Sequence, residues 1–167
     1  NNIEYITIQS TGNSVDFGDM SQKTSTGQAF SSPTRGITAG GWQPSPANSR
    51  LSDIQYITIS TLGNTADFGD LVAASAFTCG NTASNAVRGL ITIGNTSEGT
   101  YTNTIQFVTI ATLGNAEDFG DLIRGSEWCC GMASPTRAVF HNPGGNSADD
   151  HMEYVQIMST ANATDFG

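Results

Sequence analysis

The same pattern of residues recurs four times along this chain, and that recurrence constrains the fold more than any other feature. Ile3, Ile54 and Ile105 are 51 residues apart, and each begins an Ile-x-Tyr-like segment that recurs once more at Met152. Each segment leads to an Asp-Phe-Gly triplet, and an Asn lies three residues before its Asp. The pattern predicts a tandem-repeat protein with units 3–53, 54–104 and 105–151 and a partial unit 152–167.

Within one unit the residues predict short strands. Side chains 3, 5 and 7 alternate with side chains 4, 6 and 8, and both faces of this first strand are largely apolar. The Asp-Phe-Gly-Asp segment predicts a second strand, and residues 35–41 and 88–94 predict a third. We expect a fourth strand at residues 28–30, 77–79 and 128–130. Turn-forming residues are abundant and helix formers are scarce, which favours an all-β fold.

Small sheets with two apolar faces cannot bury both faces alone. Stacking each sheet on the next solves this, so we expect β-propeller blades or, as the alternative, an open β-solenoid or fibre of stacked small sheets. The three complete units are fewer than the about 4 to 8 blades of a closed propeller. We therefore expect either further repeats in the same chain or self-association of several copies through their open ends.

Two resemblances sharpen this expectation. The unit length and the Gly40-Gly41 pair followed by Trp42 resemble the blades of kelch-type β-propellers. The segments YITISTLGNTADFGDL and SSPTRGITAGG more closely resemble the kelch-like Asp-Phe-Gly-Asp-Leu and Thr-Arg-Gly repeats of uncharacterised structural or tail-associated proteins of marine phages and other aquatic viruses. That resemblance covers nearly the whole chain, and it implies a role in a virion or an appendage.

The charge balance argues against two classes of partner. Lys and Arg total 6 against 15 Asp and Glu, for a net charge of −9. Nucleic acids and anionic membrane surfaces are bound by clustered cations, so we expect neither as a partner.

The acidic residues recur in pairs that suggest either a cation site or a structural role. Calcium binds such oxygen ligands, which makes the pairs weak calcium candidates, although their spacing is not that of an EF-hand. The favoured hypothesis is a ladder of Asp–Arg ion pairs between units, because Arg35, Arg88 and Arg137 also recur. The paired acids are Asp16 and Asp19, Asp67 and Asp70, and Asp118 and Asp121, with Asp19, Asp70 and Asp121 as the partners of the arginines.

No nucleophile–base combination is visible, and we predict neither catalytic residues nor a cofactor. Cys79 and Cys130 are equivalent positions, and stacked sheets are too far apart for a disulfide between them, so small buried thiols are expected. Cys129, Cys130 and His141 are too few ligands for a zinc site.

The loops that differ between units are the expected binding surfaces. They are residues 42–51, 95–104 and 142–150, and Trp42, Tyr101 and His141 are the candidate contacts for a glycan or a host surface. We expect a non-enzymatic structural or adhesive module of a virion or extracellular appendage. The alternatives are a glycan-binding, lectin-like propeller, a glycosidase-type or copper-oxidase enzyme on a propeller scaffold, and a kelch-like intracellular interaction domain.

Overall fold

The computed structural model describes residues 1–76, 82–96, 101–125, 128–142 and 150–167. Those residues form strands and no helix, which confirms the all-β prediction. None of the same residues forms a helix long and apolar enough to cross a membrane. The strands are β1 (Asn2–Tyr5), β2 (Val15–Asp19), β3 (Gln28–Ser31), β4 (Arg35–Ala39), β5 (Trp42–Gln43), β6 (Ser49–Thr58), β7 (Ala66–Ala76), β8 (Ala83–Ser84), β9 (Arg88–Thr92), β10 (Asn95–Thr96), β11 (Thr104–Thr109), β12 (Glu117–Asp121), β13 (Cys130–Ala133), β14 (Arg137–His141), β15 (Met152–Gln156) and β16 (Thr164–Asp165).

The described strands pair antiparallel in four sheets. Strands β1 and β2 form the N-terminal half-sheet. The other three sheets each contain four neighbouring strands in chain order, and we call them the first, second and third full sheets: β3-β4-β6-β7, β8-β9-β11-β12 and β13-β14-β15-β16. Strands β5 and β10 extend the first full sheet by pairing with β6 and β7. Each full sheet therefore takes two strands from one sequence unit and two from the next.

The fourth predicted strand is correct in one unit and misplaced in another. Strand β3 covers the predicted residues 28–30, but β13 begins at Cys130 rather than at residue 128. The predicted residues 77–79 lie outside the described residues, and the strand of that unit, β8, is at Ala83–Ser84. β3 and β13 each begin 12 residues after the Asp of Asp-Phe-Gly and seven residues before the recurring Arg, so the prediction for β13 started two residues too early.

Neighbouring sheets pack through faces of different composition. The front face of the first full sheet carries Phe30, Ile37, Ile54 and Phe68, which form one core with the back face of the second full sheet. The front face of the second full sheet packs in the same way on the back face of the third. Alternating side chains thus cover both sides of the central strands, as the pattern at residues 3–8 predicts. The back-face residues are Ile91, Val108 and Ile110 in the second full sheet and Ala138, Phe140, Val155 and Ile157 in the third.

An edge-on aromatic pair occupies the front face of every sheet. The aromatic residue of each Ile-x-Tyr-like strand meets the Phe of Asp-Phe-Gly with ring centroids 6.0 to 6.1 Å apart. Such pairs contribute about 0.5 to 1.5 kcal/mol beyond their buried area. The pairs are Tyr5–Phe17, Tyr56–Phe68, Phe107–Phe119 and Tyr154–Phe166.

The glycine of Asp-Phe-Gly is required where one sheet meets the next. Gly69 has a φ of 148°, and a Cβ there would overlap the carbonyl oxygen of Gly114 in the following turn. Gly18 and Gly120 lie equally close to the carbonyl oxygens of Gly63 and Ala161. The missing side chain therefore lets two backbones approach each other.

Replacing Gly69 with Ala should lower the free energy of unfolding by about 2 to 4 kcal/mol, because it adds backbone strain and a steric clash. Gly12→Ala is the matched control, since a Cβ at Gly12 meets nothing within 4 Å. That variant should stay within about 0.5 kcal/mol of the unsubstituted chain. Urea unfolding measures both, and equal stabilities for the two variants would contradict the close approach.

Candidate functional site

The recurring arginines connect neighbouring sheets through an aromatic ring and a backbone carbonyl. The Arg35 guanidinium lies 4.8 Å from the centre of the Tyr56 ring, and its Nη1 donates to the carbonyl oxygen of Ile110 in the next sheet at 2.8 Å. Arg88 lies 4.3 Å from the centre of the Phe107 ring and donates to the carbonyl oxygen of Ile157 at 3.3 Å. These contacts combine a cation–π interaction with a charge-assisted hydrogen bond.

The predicted Asp–Arg ladder is therefore wrong. Among the described residues, no ion pair joins Arg35, Arg88 or Arg137 to the acids assigned to them. Those acids, Asp19, Asp70 and Asp121, use their backbone groups instead, each donating its amide hydrogen to an Asn side chain of the following unit. All three arginines lie over aromatic rings, and Arg35 and Arg88 also donate to carbonyl oxygens, so these contacts take the place of the predicted carboxylates.

The first acid of each pair points away from the sheet contacts. Asp16, Asp67 and Asp118 are all exposed. Within the described ranges, no group of three His, Cys, Asp or Glu residues is placed to hold a metal ion. The calcium hypothesis stays a prediction: five of its six acids are exposed, and the sixth, Asp121, is half-buried.

The recurring Asn of each turn binds the preceding strand. Asn64 Oδ1 accepts from the Asp19 amide at 2.9 Å, and the backbone of its turn adds two bonds, from Gly63 to the Phe17 carbonyl and from Thr65 to the Asp19 carbonyl, both 2.9 Å. Asn115 accepts from Asp70 at 3.0 Å in the next pair of sheets. Each turn therefore extends the hydrogen bonding of one sheet to its neighbour.

A second series of side-chain bonds comes from the residue after the first Ile of each repeat. The Gln106 side chain is fully buried, and its Oε1 accepts from the Val72 amide at 2.6 Å. Gln55 accepts from Ser21 at 3.1 Å, and Glu153 accepts from Ile123 at 2.6 Å. Sequence reasoning missed this role, although a Gln or Glu at positions 4, 55, 106 and 153 was the signal that could have shown it.

The longer loops share one end of the sheets. Consecutive strands run antiparallel, so the connections around Trp42, Asn95, Tyr101 and Asn142 all lie at one end of the sheets, which we call the loop end. The Thr-Leu-Gly-Asn turns at residues 61–64 and 112–115, which join β6 to β7 and β11 to β12, lie at the opposite end. Two of the predicted contact residues are connected at the loop end. Arg50 lies 5.7 Å from the centre of the Trp42 ring, and its Nη2 donates to Asn95 Oδ1 at 2.7 Å.

Asn95 in turn forms a β-bridge with Tyr101, whose side chain is exposed. Trp42 and Tyr101 therefore belong to one continuous surface made by two neighbouring units. Arg50 and Asn95 lie in the predicted binding loops 42–51 and 95–104, but neither was named as a contact residue.

His141 is not part of that contact series. It is the last residue of β14 in the third full sheet, half-buried, and its register partners are Cys130 and Met152. Of the three predicted contact residues, Trp42 and Tyr101 are thus connected to each other, and His141 lies apart from them.

A buried carboxylate lies beside Asn142 and His151. Glu153 is fully buried and accepts from Asn142 Nδ2 at 2.7 Å and from the Ile123 amide at 2.6 Å. The His151 ring lies between this carboxylate, at 4.0 Å, and Asp165, at 3.6 Å. Both Glu153 oxygens hold parts of the fold together, which suits a structural role better than contact with a substrate.

The described cysteines lie at the edge of the core between the second and third full sheets. Cys129 is buried, and Cys130 is half-buried at the start of β13. Cys79 lies outside the described residues.

Comparison with known proteins does not identify a relative. No protein-family model matches the chain, and no curated protein is significantly similar to it. A functional proposal must therefore come from the contacts themselves.

Arg88→Met should lower the free energy of unfolding by about 2 to 3 kcal/mol, because it removes the contact with Phe107 and the bond to the next sheet. Arg137→Met is the matched control: its guanidinium lies 4.7 Å from the centre of the Tyr154 ring, but its side chain is exposed on the last described sheet. It should cost less than about 1 kcal/mol. Thermal and urea unfolding check both values, and an Arg88 variant as stable as the Arg137 variant would show that the bond between sheets contributes nothing.

Proposed function

We propose that this chain is a non-enzymatic structural and adhesive module, part of a virion or an extracellular appendage. Its sheets act as a rigid scaffold that presents variable loops at one end. The observation that carries the proposal is that the recurring residues and the variable residues have different positions. The recurring Arg, Asn, Gly and Gln/Glu residues contact the neighbouring sheet, whereas Trp42, Tyr101 and their surroundings do not recur.

Propeller-like stacking is the arrangement that we infer for this scaffold. Each full sheet is a four-stranded antiparallel meander, the form of a propeller blade, and the packing of a front face on a back face is the same at two successive contacts. An open stack of the same sheets has the same local contacts. The open stack gives a stiff module whose length grows with the number of units.

The loop end offers the chemistry of a glycan-binding surface. The Trp42 ring and the exposed Tyr101 supply apolar faces, and Arg50 and Asn95 lie between them with polar groups. Pyranose rings present apolar faces beside hydroxyl groups, so aromatic rings next to planar hydrogen-bonding groups suit them. This observation supports the lectin-like alternative within the same proposal.

A glycan array is the direct test of adhesion. The unsubstituted chain should bind a restricted set of glycans, and Tyr101→Ala should reduce that binding at least about tenfold, which corresponds to about 1.4 kcal/mol. Leu62→Ala is the control, because Leu62 is a large apolar side chain that is more exposed than Tyr101 (61% against 36%) but lies in a turn at the opposite end of the sheets. Thermal unfolding confirms that both variants remain folded.

Two results would contradict the proposal. Equal loss of binding in the Leu62 and Tyr101 variants would remove the loop end as the binding surface, and no binding to any glycan or host surface would remove adhesion. Turnover of chromogenic glycosides by the purified chain would favour the glycosidase-type alternative instead.

A further inference from the structure

The front face of the third full sheet is uncovered. Phe166 is 49% exposed, whereas its counterparts Phe68 and Phe119 are each 2% exposed beneath the next sheet. A groove of about 470 Å³ runs over this face, and Met132, Arg137, Val139 and Phe166 are among the residues that line it. At the equivalent positions of the first full sheet, Phe30 and Ile37 are buried.

At the other end of the molecule it is the back face that is uncovered, on the N-terminal half-sheet and the residues that follow β1. Ile8 is 93% exposed and Ile6 is 63% exposed, whereas the counterparts of Ile8 in the second and third full sheets, Ile110 and Ile157, are 1% and 0% exposed. The molecule therefore shows one half of the contact that joins its own sheets at the third full sheet, and the part of the other half that two strands supply at the N-terminal half-sheet.

The internal contacts predict which groups would meet if these faces joined. Arg35 donates to the Ile110 carbonyl and Arg88 to the Ile157 carbonyl, so the counterpart acceptor for Arg137 is the Ile8 carbonyl. The Gly63 amide donates to Phe17 and the Gly114 amide to Phe68. By the same correspondence, the Gly12 amide would donate to the Phe166 carbonyl.

The glycines that allow close backbone contact between sheets inside the molecule have open counterparts at these two ends. Gly167 occupies the same place as Gly69 and Gly120, where a Cβ would overlap the following turn, yet a Cβ at Gly167 meets nothing within 4 Å. Gly12 is the counterpart of the turn residues Gly63 and Gly114 and is likewise open.

We propose that two copies of this chain associate head to tail, the front face of the third full sheet of one copy covering the back face of the N-terminal half-sheet of the other. Such a contact uses two different surfaces, so it is heterologous and continues into a ring or a filament. This inference rests on the proposed function, because it extends the scaffold by the contact that stacks its own sheets. The occupant is a second copy because the segment between its β1 and β2 carries Ile6, Ile8, Gly12 and Asn13, the residue types that cover the front faces inside the molecule.

Complementary variants test the proposal by sedimentation velocity. Ile8→Asp places a charge on the back face, and Phe166→Asp places one on the front face; both positions are exposed, so each variant should fold, as circular dichroism will check. The unsubstituted chain should form species at multiples of 17.5 kDa. Each variant alone should remain at 17.5 kDa, and an equimolar mixture of the two should form a dimer and nothing larger. Leu113→Asp, at an exposed turn position outside both faces, should associate like the unsubstituted chain.

A symmetric contact would leave at least one single variant dimeric, and that result would overturn the proposal. So would an unsubstituted chain that stays monomeric at every concentration, or a mixture that stays monomeric. A monomer that still binds glycans through Tyr101 would leave the proposed function intact, so the two failures are distinguishable.

Discussion

The structure depends on the fact that each small sheet has two apolar faces and can bury them only against other sheets. The second full sheet shows the satisfied state, with Leu90 buried on one face and Val108 on the other. Burying such side chains contributes about 1.5 to 3 kcal/mol each. The N-terminal half-sheet has two strands instead of four and covers its neighbour incompletely, so Ile59 stays exposed where Ile110 is buried.

Apolar burial holds the sheets together, and backbone contacts fix the position of each sheet on the next. A glycine without a Cβ allows the turn of one unit to reach the strand of the previous one, and an Asn side chain from that turn binds the strand amide. An arginine then spans the same gap from the other side of the sheet. Apolar packing alone tolerates sliding, whereas these directional bonds permit one register.

Much of the fold was predictable from the sequence, because the alternation in Ile3 to Ile8 and the recurrence of Asp-Phe-Gly are local signals. The start of β13 was predicted two residues too early, although Cys130 lies as many residues after Asp118 as Gln28 lies after Asp16. The half-unit offset between sequence units and sheets was also invisible, since pairing between β4 and β6 is set by long-range contacts.

The candidate site was less predictable. The importance of Arg88 followed from its recurrence, but its partner did not, since a sequence shows nearby opposite charges and hides a carbonyl oxygen supplied by Ile157. The variable loops that contain Arg50 and Asn95 were predicted, but the hydrogen bond between these two residues, which connects Trp42 to Tyr101, joins residues far apart in the sequence.

Native-state hydrogen exchange of the Ile8→Asp variant, which is expected to stay monomeric, tests most directly whether each sheet is stable because its neighbours cover it. The account predicts that amides of β9 and β11, covered on both faces, exchange only through global unfolding, and that amides of β1 exchange at least roughly 100-fold faster. Equal protection of β1 and β11 would show that a sheet holds its structure without a neighbour on each face, and would contradict the account.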